Sequence, residues 1–191
     1  TYTGLTSVDE GTLLVTGSIS GSATFVNPGG TLSGAGSVGE ITVNSGGTLA
    51  PGNGPGLMSS GTALFNGGVF ALELTSTGSD QLIVTGGVSL MVDSPLTISL
   101  GFTPAPATVF TIVANDDIDP VDTTSGLFSF AGNPLSQGEQ FTVSGQAFTI
   151  SYDGGDGNDI VLTAVPEPGT ALSLLGGLGV LLGFNRTRRR A

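Results

Sequence analysis

The 191-residue sequence contains no cysteine, histidine, tryptophan or lysine. Without cysteine there are no disulfides, no thiol nucleophile and no thiolate zinc site. Without histidine the most common general base and metal ligand is missing. The only basic residues are Arg186, Arg188, Arg189 and Arg190. Fifteen acidic residues run from Asp9 to Glu167, so residues 1–166 carry fourteen carboxylates and no basic side chain. Such a body repels nucleic-acid phosphates and anionic lipid, which argues against a nucleic-acid partner, and it attracts cations. Charged residues make up only 10% of the chain while glycine takes 33 positions, a balance unlike that of an ordinary globular enzyme. A mean hydropathy of +0.34 is too apolar for a disordered polar chain.

What is present is repetition. Gly11-Thr12-Leu13 recurs as Gly30-Thr31-Leu32 and Gly47-Thr48-Leu49, at offsets of 19 and 17 residues. The longer units Phe25-Val26-Asn27-Pro28-Gly29-Gly30-Thr31-Leu32 and Thr42-Val43-Asn44-Ser45-Gly46-Gly47-Thr48-Leu49 read as strand, Asn-x-Gly-Gly turn, strand. This period is too short for a βαβ unit and suits one coil of a solenoid. The expected fold is all-β, a right-handed parallel β-helix in which apolar positions stack inward and Asn or Thr rows stack at the corners. Strands are expected at Leu13–Val15, Ala23–Val26, Ile41–Val43, Ala63–Phe65, Phe70–Leu74 and Leu82–Val84. A β-sandwich of hairpins is the alternative; the near-constant offset and repeated turn chemistry favour the solenoid.

Near residue 95 the strands lengthen: Leu96–Phe102, Val109–Val113, Gln140–Val143, Ala147–Tyr152 and Asp159–Thr163. Ser144-Gly145-Gln146 reads as a hairpin turn between two of them. This region is expected to cap the solenoid, whose last coil otherwise exposes an unpaired edge and an open core. Three regions follow: coils over 1–94, a β-rich cap over 95–164, and a tail over 165–191. In the tail, two prolines precede Gly169–Phe184, 16 uncharged and mostly apolar residues. As a helix this spans about 24 Å at ~1.5 Å per residue, slightly short of the ~30 Å hydrocarbon core. Snorkelling of Arg186, Arg188, Arg189 and Arg190 extends its reach, and by the positive-inside rule their charge places the C-terminus in the cytoplasm. The expected element is one transmembrane helix over about 169–184, with the acidic body outside. Residue 1 is Thr and no leader follows it, so the sequence reads as the C-terminal piece of a longer protein.

Val165-Pro166-Glu167-Pro168, the apolar helix and the Arg cluster, taken in order, resemble a PEP-CTERM sorting signal. The resemblance implies recognition of Pro166, Glu167 and Pro168 by an exosortase in the inner membrane of a Gram-negative bacterium. The body, from Thr1-Tyr2-Thr3-Gly4 through Asn44-Ser45-Gly46-Gly47-Thr48-Leu49-Ala50-Pro51-Gly52 to the ending Phe148–Asp159, resembles autotransporter-associated β-strand repeats, also called passenger-associated transport repeats. That implies a β-helical, passenger-like surface domain. The sequence departs from a true autotransporter in ending on the sorting tail instead of an outer-membrane barrel.

Two clusters invite a chemical reading. Gly154-Gly155-Asp156-Gly157-Asn158-Asp159-Ile160 matches the Gly-Gly-x-Gly-x-Asp-x calcium repeat, which makes Asp156 and Asp159 a calcium candidate. Such sites are built from stacked copies and only one copy is present, so the favoured reading is a tight acidic turn. Asp116, Asp117, Asp119 and Asp122 could supply a carboxylate pair for glycoside hydrolysis, but no His, Lys or Arg stands in the body to assist them. The cluster reads as a solvated loop, and the Ser and Thr hydroxyls lack a base. The expectation is therefore a non-enzymatic surface or extracellular-matrix protein without cofactor or catalytic residues. It is exported and anchored in the inner membrane or processed by an exosortase, and it meets exopolysaccharide or other envelope components. An adhesive or carbohydrate-binding module, or a stalk for an enzyme domain upstream, is the alternative.

Overall fold

The computed structural model describes residues 2–116 and 119–166, and these contain strands and turns but no helix. The chain winds as a parallel β-solenoid, three strands to a coil. The first coil holds β1 (Thr6–Val8), β2 (Gly11–Leu14) and β3 (Ser18–Ile19). The second holds β4 (Thr24–Val26), β5 (Gly30–Gly34) and β6 (Ser37–Val38). The third holds β7 (Ile41–Asn44), β8 (Thr48–Pro51) and β9 (Leu57–Ser60). The fourth holds β10 (Ala63–Asn66), β11 (Val69–Leu74) and β12 (Gln81–Val84). Then come β13 (Val88–Val92), β14 (Ser94–Leu100) and β15 (Val109–Asn115). The register Thr6↔Thr24↔Ile41↔Ala63↔Val88 traces about four full turns.

The sequence repeat is the coil repeat. Thr12, Thr31 and Thr48 pair in one row, and Leu13, Leu32 and Leu49 in the next. Alternation along a strand sends the Thr row outward and the Leu row inward. The Leu row continues through Phe70 to Leu96. A second inward row runs Val8, Val26, Val43, Phe65, Leu90. Valine and leucine fill the short coils. The extra residues of the coils that begin at Ile41 and Ala63 stand in exposed loops over 53–55 and 76–78, and phenylalanine enters the core at Phe65 and Phe70. Phe65 and Phe70 pack with ring centroids 5.4 Å apart, and Phe128 closes on them at 5.1 and 5.7 Å.

The Asn-x-Gly-Gly turns use their two glycines for different reasons. Gly29 and Gly46 have φ of 87° and 82°, the left-handed third position of a tight turn closed by Gly30 N–H to Asn27 carbonyl and Gly47 N–H to Asn44 carbonyl. Gly30 and Gly47 lie against the preceding coil. A β-carbon on Gly47 would sit 2.4 Å from the Val26 carbonyl oxygen.

At the C-terminal end the three sheets meet different covers. β16 (Phe128–Phe130) joins β14 in parallel, and β17 (Asn133–Pro134) turns back on it. β20 (Asp159–Ala164) pairs antiparallel with β15, followed outward by β19 (Gln146–Gly154) and β18 (Gln140–Val143). Asp122 bridges to β13 through its backbone, its N–H to Val88 and its carbonyl to Leu90. The parallel stack thus persists through Asn115 before antiparallel pairing closes it. The β18–β19 hairpin is a two-residue turn at Ser144 and Gly145, both left-handed (φ 49° and 87°), and Gln146 already belongs to β19.

Candidate functional site

Four surface features follow from this architecture. The first is an asparagine ladder at the corner between the β1–β4–β7–β10 sheet and the next. Asn66 Nδ2 donates to Asn44 Oδ1 at 3.0 Å, and Asn44 Nδ2 donates to Asn27 Oδ1 at 2.8 Å. Asn27 Nδ2 then donates to Asp9 Oδ1 at 2.8 Å and to Ser7 Oγ at 3.0 Å. All the amides point the same way, so their donors end on a carboxylate. The bonds from Asn27 and Ser7 hold Asp9 below the usual carboxylate range. Asparagines before the Gly-Gly turns were the legible signal for this row.

The second feature is a groove across the corner after β3, β6 and β9, lined by Ser20, Ser37, Ser59, Ser60 and Thr85. Its lining is neutral and hydroxyl-rich, completed by Val38, Gly39 and Gly61. Nothing in the sequence pattern singled out these serines before the coils were stacked.

The third feature is Asp80, almost wholly buried at 5% exposure. Its Oδ2 accepts the Glu73 N–H at 2.7 Å and its Oδ1 accepts the Gly56 N–H at 3.0 Å. It thereby ties the loop before β9 to the loop before β12. Burial pushes its carboxyl up to about 6 against the pull of both bonds. No motif in the sequence marks this residue.

The fourth feature unites the two acidic clusters. The Asn115 N–H donates to Asp159 Oδ1 at 3.0 Å, and Asn115 Nδ2 donates to the Asp119 carbonyl at 3.0 Å. Asp156 and Asp159 belong to the turn Gly154–Asp159, closed by Gly157 N–H to the Gly154 carbonyl. Burial, aided by the Asp156 charge, raises the Asp159 carboxyl above its ordinary value. Asp122 accepts both the hydroxyl and the N–H of Thr124, which lowers it. Asp116 is exposed, and Asp117 lies outside the described residues. Among the described residues, no three acidic side chains converge as a metal cluster.

Of the sorting motif, Pro166 is described and exposed. Glu167, Pro168, the expected helix over 169–184, Arg186, Arg188, Arg189 and Arg190 lie outside the described residues. Among the described residues no helix is long and apolar enough to cross a membrane.

No protein-family profile matches the chain. It is 49% identical over 55 residues to the adhesin BmaC autotransporter of Brucella suis biovar 1 (strain 1330). The match takes in 27% of this chain and 2% of that protein. Together with the coil stack, this segment fits autotransporter-associated repeats. A β-solenoid that resembles part of an autotransporter adhesin suits a surface or exported protein.

Proposed function

We propose that the chain belongs to an exported, non-enzymatic bacterial surface or extracellular-matrix protein. Its solenoid lies outside the inner membrane, and its tail is held there or processed by an exosortase. The observation that carries this reading is the parallel coil stack, whose sequence resembles a segment of the Brucella adhesin. Two sequence features support the finer parts. The body carries fourteen carboxylates without one basic side chain to serve as catalytic partner. The tail carries Pro166, Glu167 and Pro168, an apolar run and an Arg end in the order an exosortase substrate shows. Positive charge at Arg186, Arg188, Arg189 and Arg190 retains the C-terminus in the cytoplasm.

The test is fractionation of Gram-negative cells that express the chain behind a secretory leader. The intact chain should partition with the inner membrane, with the body open to protease from the periplasmic side. A chain lacking residues 165–191 should be soluble in the periplasm. Recovery of the intact chain as a soluble periplasmic protein would sink the anchoring.

A second reading, an adhesive or carbohydrate-binding module, has the serine-lined groove in its favour. Hydroxyls of Ser37 and Ser59 stand in register one coil apart, a spacing of about 4.8 Å that a neutral glycan can follow. Pull-down on exopolysaccharide with the Ser37→Val/Ser59→Val variant as comparison decides it. Equal retention of both proteins speaks against the groove.

A further inference from the structure

The end of the solenoid where β15 meets β20 holds polar groups that the fold leaves unanswered. Asn115 closes β15, and its two nitrogens are engaged, the backbone one with Asp159 and the side-chain one with the Asp119 carbonyl. Its Oδ1 remains, in a residue only 2% exposed, with no hydrogen-bond partner among the described residues. The antiparallel ladder ends at Val113↔Ile160, and Asn115 and Asn158 each lie two residues beyond that pair, Asn158 in the turn that leads into β20. Asn158 is 4% exposed, and both its Oδ1 and its Nδ2 are buried without a partner. Buried amide groups left unmet work against folding. Here two of them stand at the same end of the solenoid, where Asp159 Oδ1 accepts the Asn115 N–H and Asp156 shares the Gly154–Asp159 turn. No Lys or Arg occurs in residues 1–166 to answer the charge of these carboxylates.

We propose that this end of the solenoid binds a divalent cation of the calcium class, held by the carboxylates of Asp156 and Asp159 and the side-chain oxygens of Asn115 and Asn158. The donor set is all oxygen, which excludes the nitrogen- and sulfur-seeking transition metals. Two carboxylates balance the ion, the two amides supply neutral oxygens, and water completes the shell. Donors drawn from a strand end and a glycine-rich turn suit the flexible coordination of calcium better than the strict octahedron of magnesium. The second half of the site comes from β15, where a calcium repeat would use a second copy of its own motif. The ion would tie the last parallel strand to the antiparallel cap. On the reading that the body is exported, the affinity belongs with extracellular modules, roughly 10⁻⁴–10⁻³ M.

The experiment uses the full chain in mild detergent, melted by circular dichroism with and without millimolar CaCl₂. NaCl at matched ionic strength separates site binding from screening of the acidic body. Calcium should raise Tm by about 5 °C, EDTA should reverse it, and magnesium should do less. Titration calorimetry should give one ion per chain. Asp159→Asn and Asn115→Ala should abolish the calcium-specific shift, while Asp153→Asn, a neighbouring exposed carboxylate outside the site, should keep it. Should Asp159→Asn fail to fold, Asp156→Asn, in the exposed turn, takes its place. The proposal is overturned if calcium does no more than NaCl to the unmodified chain, if calorimetry shows no binding heat, or if the shift survives in the folded site variants.

Discussion

Asn44 Nδ2 donates to Asn27 Oδ1 at 2.8 Å across one full coil of the solenoid, 17 residues apart in sequence. This bond is the centre of a ladder that runs from Asn66 to Asp9. Asn44→Ala removes both the bond it donates and the one it accepts. A net contribution of about 0.5–1.5 kcal/mol per hydrogen bond sets the expected loss at about 1–3 kcal/mol in urea unfolding. An unchanged midpoint would show that water replaces the ladder at no cost.

Glycines at the turns separate close approach from conformational need. Gly47→Ala drives a methyl against the Val26 carbonyl oxygen, 2.4 Å away. The expected cost is about 1–3 kcal/mol, as for other overpacked sites. Gly87→Ala is the comparison, since nothing lies within 4 Å of its β-carbon and its φ is not left-handed. It should leave the midpoint unchanged or raise it slightly. Equal effects at the two positions would refute the contact argument.

The cap is pinned by one phenol. Tyr152 OH accepts the Phe128 N–H at 2.9 Å and donates to the Leu135 carbonyl at 2.9 Å, while its ring stacks on Phe128. Tyr152→Phe keeps the ring and orphans both backbone groups, so about 1–3 kcal/mol of stability should be lost. Burial also pushes the Tyr152 phenol up to about 12. Spectrophotometric titration should therefore find the Tyr152 phenol ionising late. Loss of the late step in Tyr152→Phe assigns it, and ionisation of Tyr152 near pH 10 would contradict the burial.

Asp80 gives the fold an unusual acid response. Its folded carboxyl titrates at about 6 against 3.8 unfolded. The folded state therefore binds more protons between these values, and the contribution is fully present below pH 3.8 and lost as pH rises through 6. Asp159, also raised, acts in the same direction. Asp9, Asp122 and Asp153 are lowered, and their contribution disappears only as pH falls below 3.8. Tm should thus rise on acidification from pH 7 to about 4.5, with a shallower rise in Asp80→Asn. A variant with the same slope as the unmodified chain would show that another group carries the effect.

How much of this was legible in advance differs along the chain. The coils were, because a parallel stack in register sets each Gly-Thr-Leu copy on the one before, so the fold's period appears in the sequence as repetition. Two of the last strands were legible at Gln140–Val143 and Ala147–Tyr152, the second extending in the structure to Gln146–Gly154. Their order was not: β20 inserts between β15 and β19, an arrangement set by which edge is free and carrying no repeat.

Taken alone, the amino-acid sequence determined the all-β class, the coil period, the Asn-x-Gly-Gly corners and the absence of basic and thiol chemistry from the body. These depend on local backbone preference and on composition, which neighbours in the chain already specify. Tertiary structure decided that Asp80 is buried, that Phe128 closes the core on Phe65 and Phe70, and that Asn115 meets Asp159 across 44 positions. Those outcomes depend on which residues stacking and antiparallel closure bring into contact, and contact between distant residues leaves no local mark.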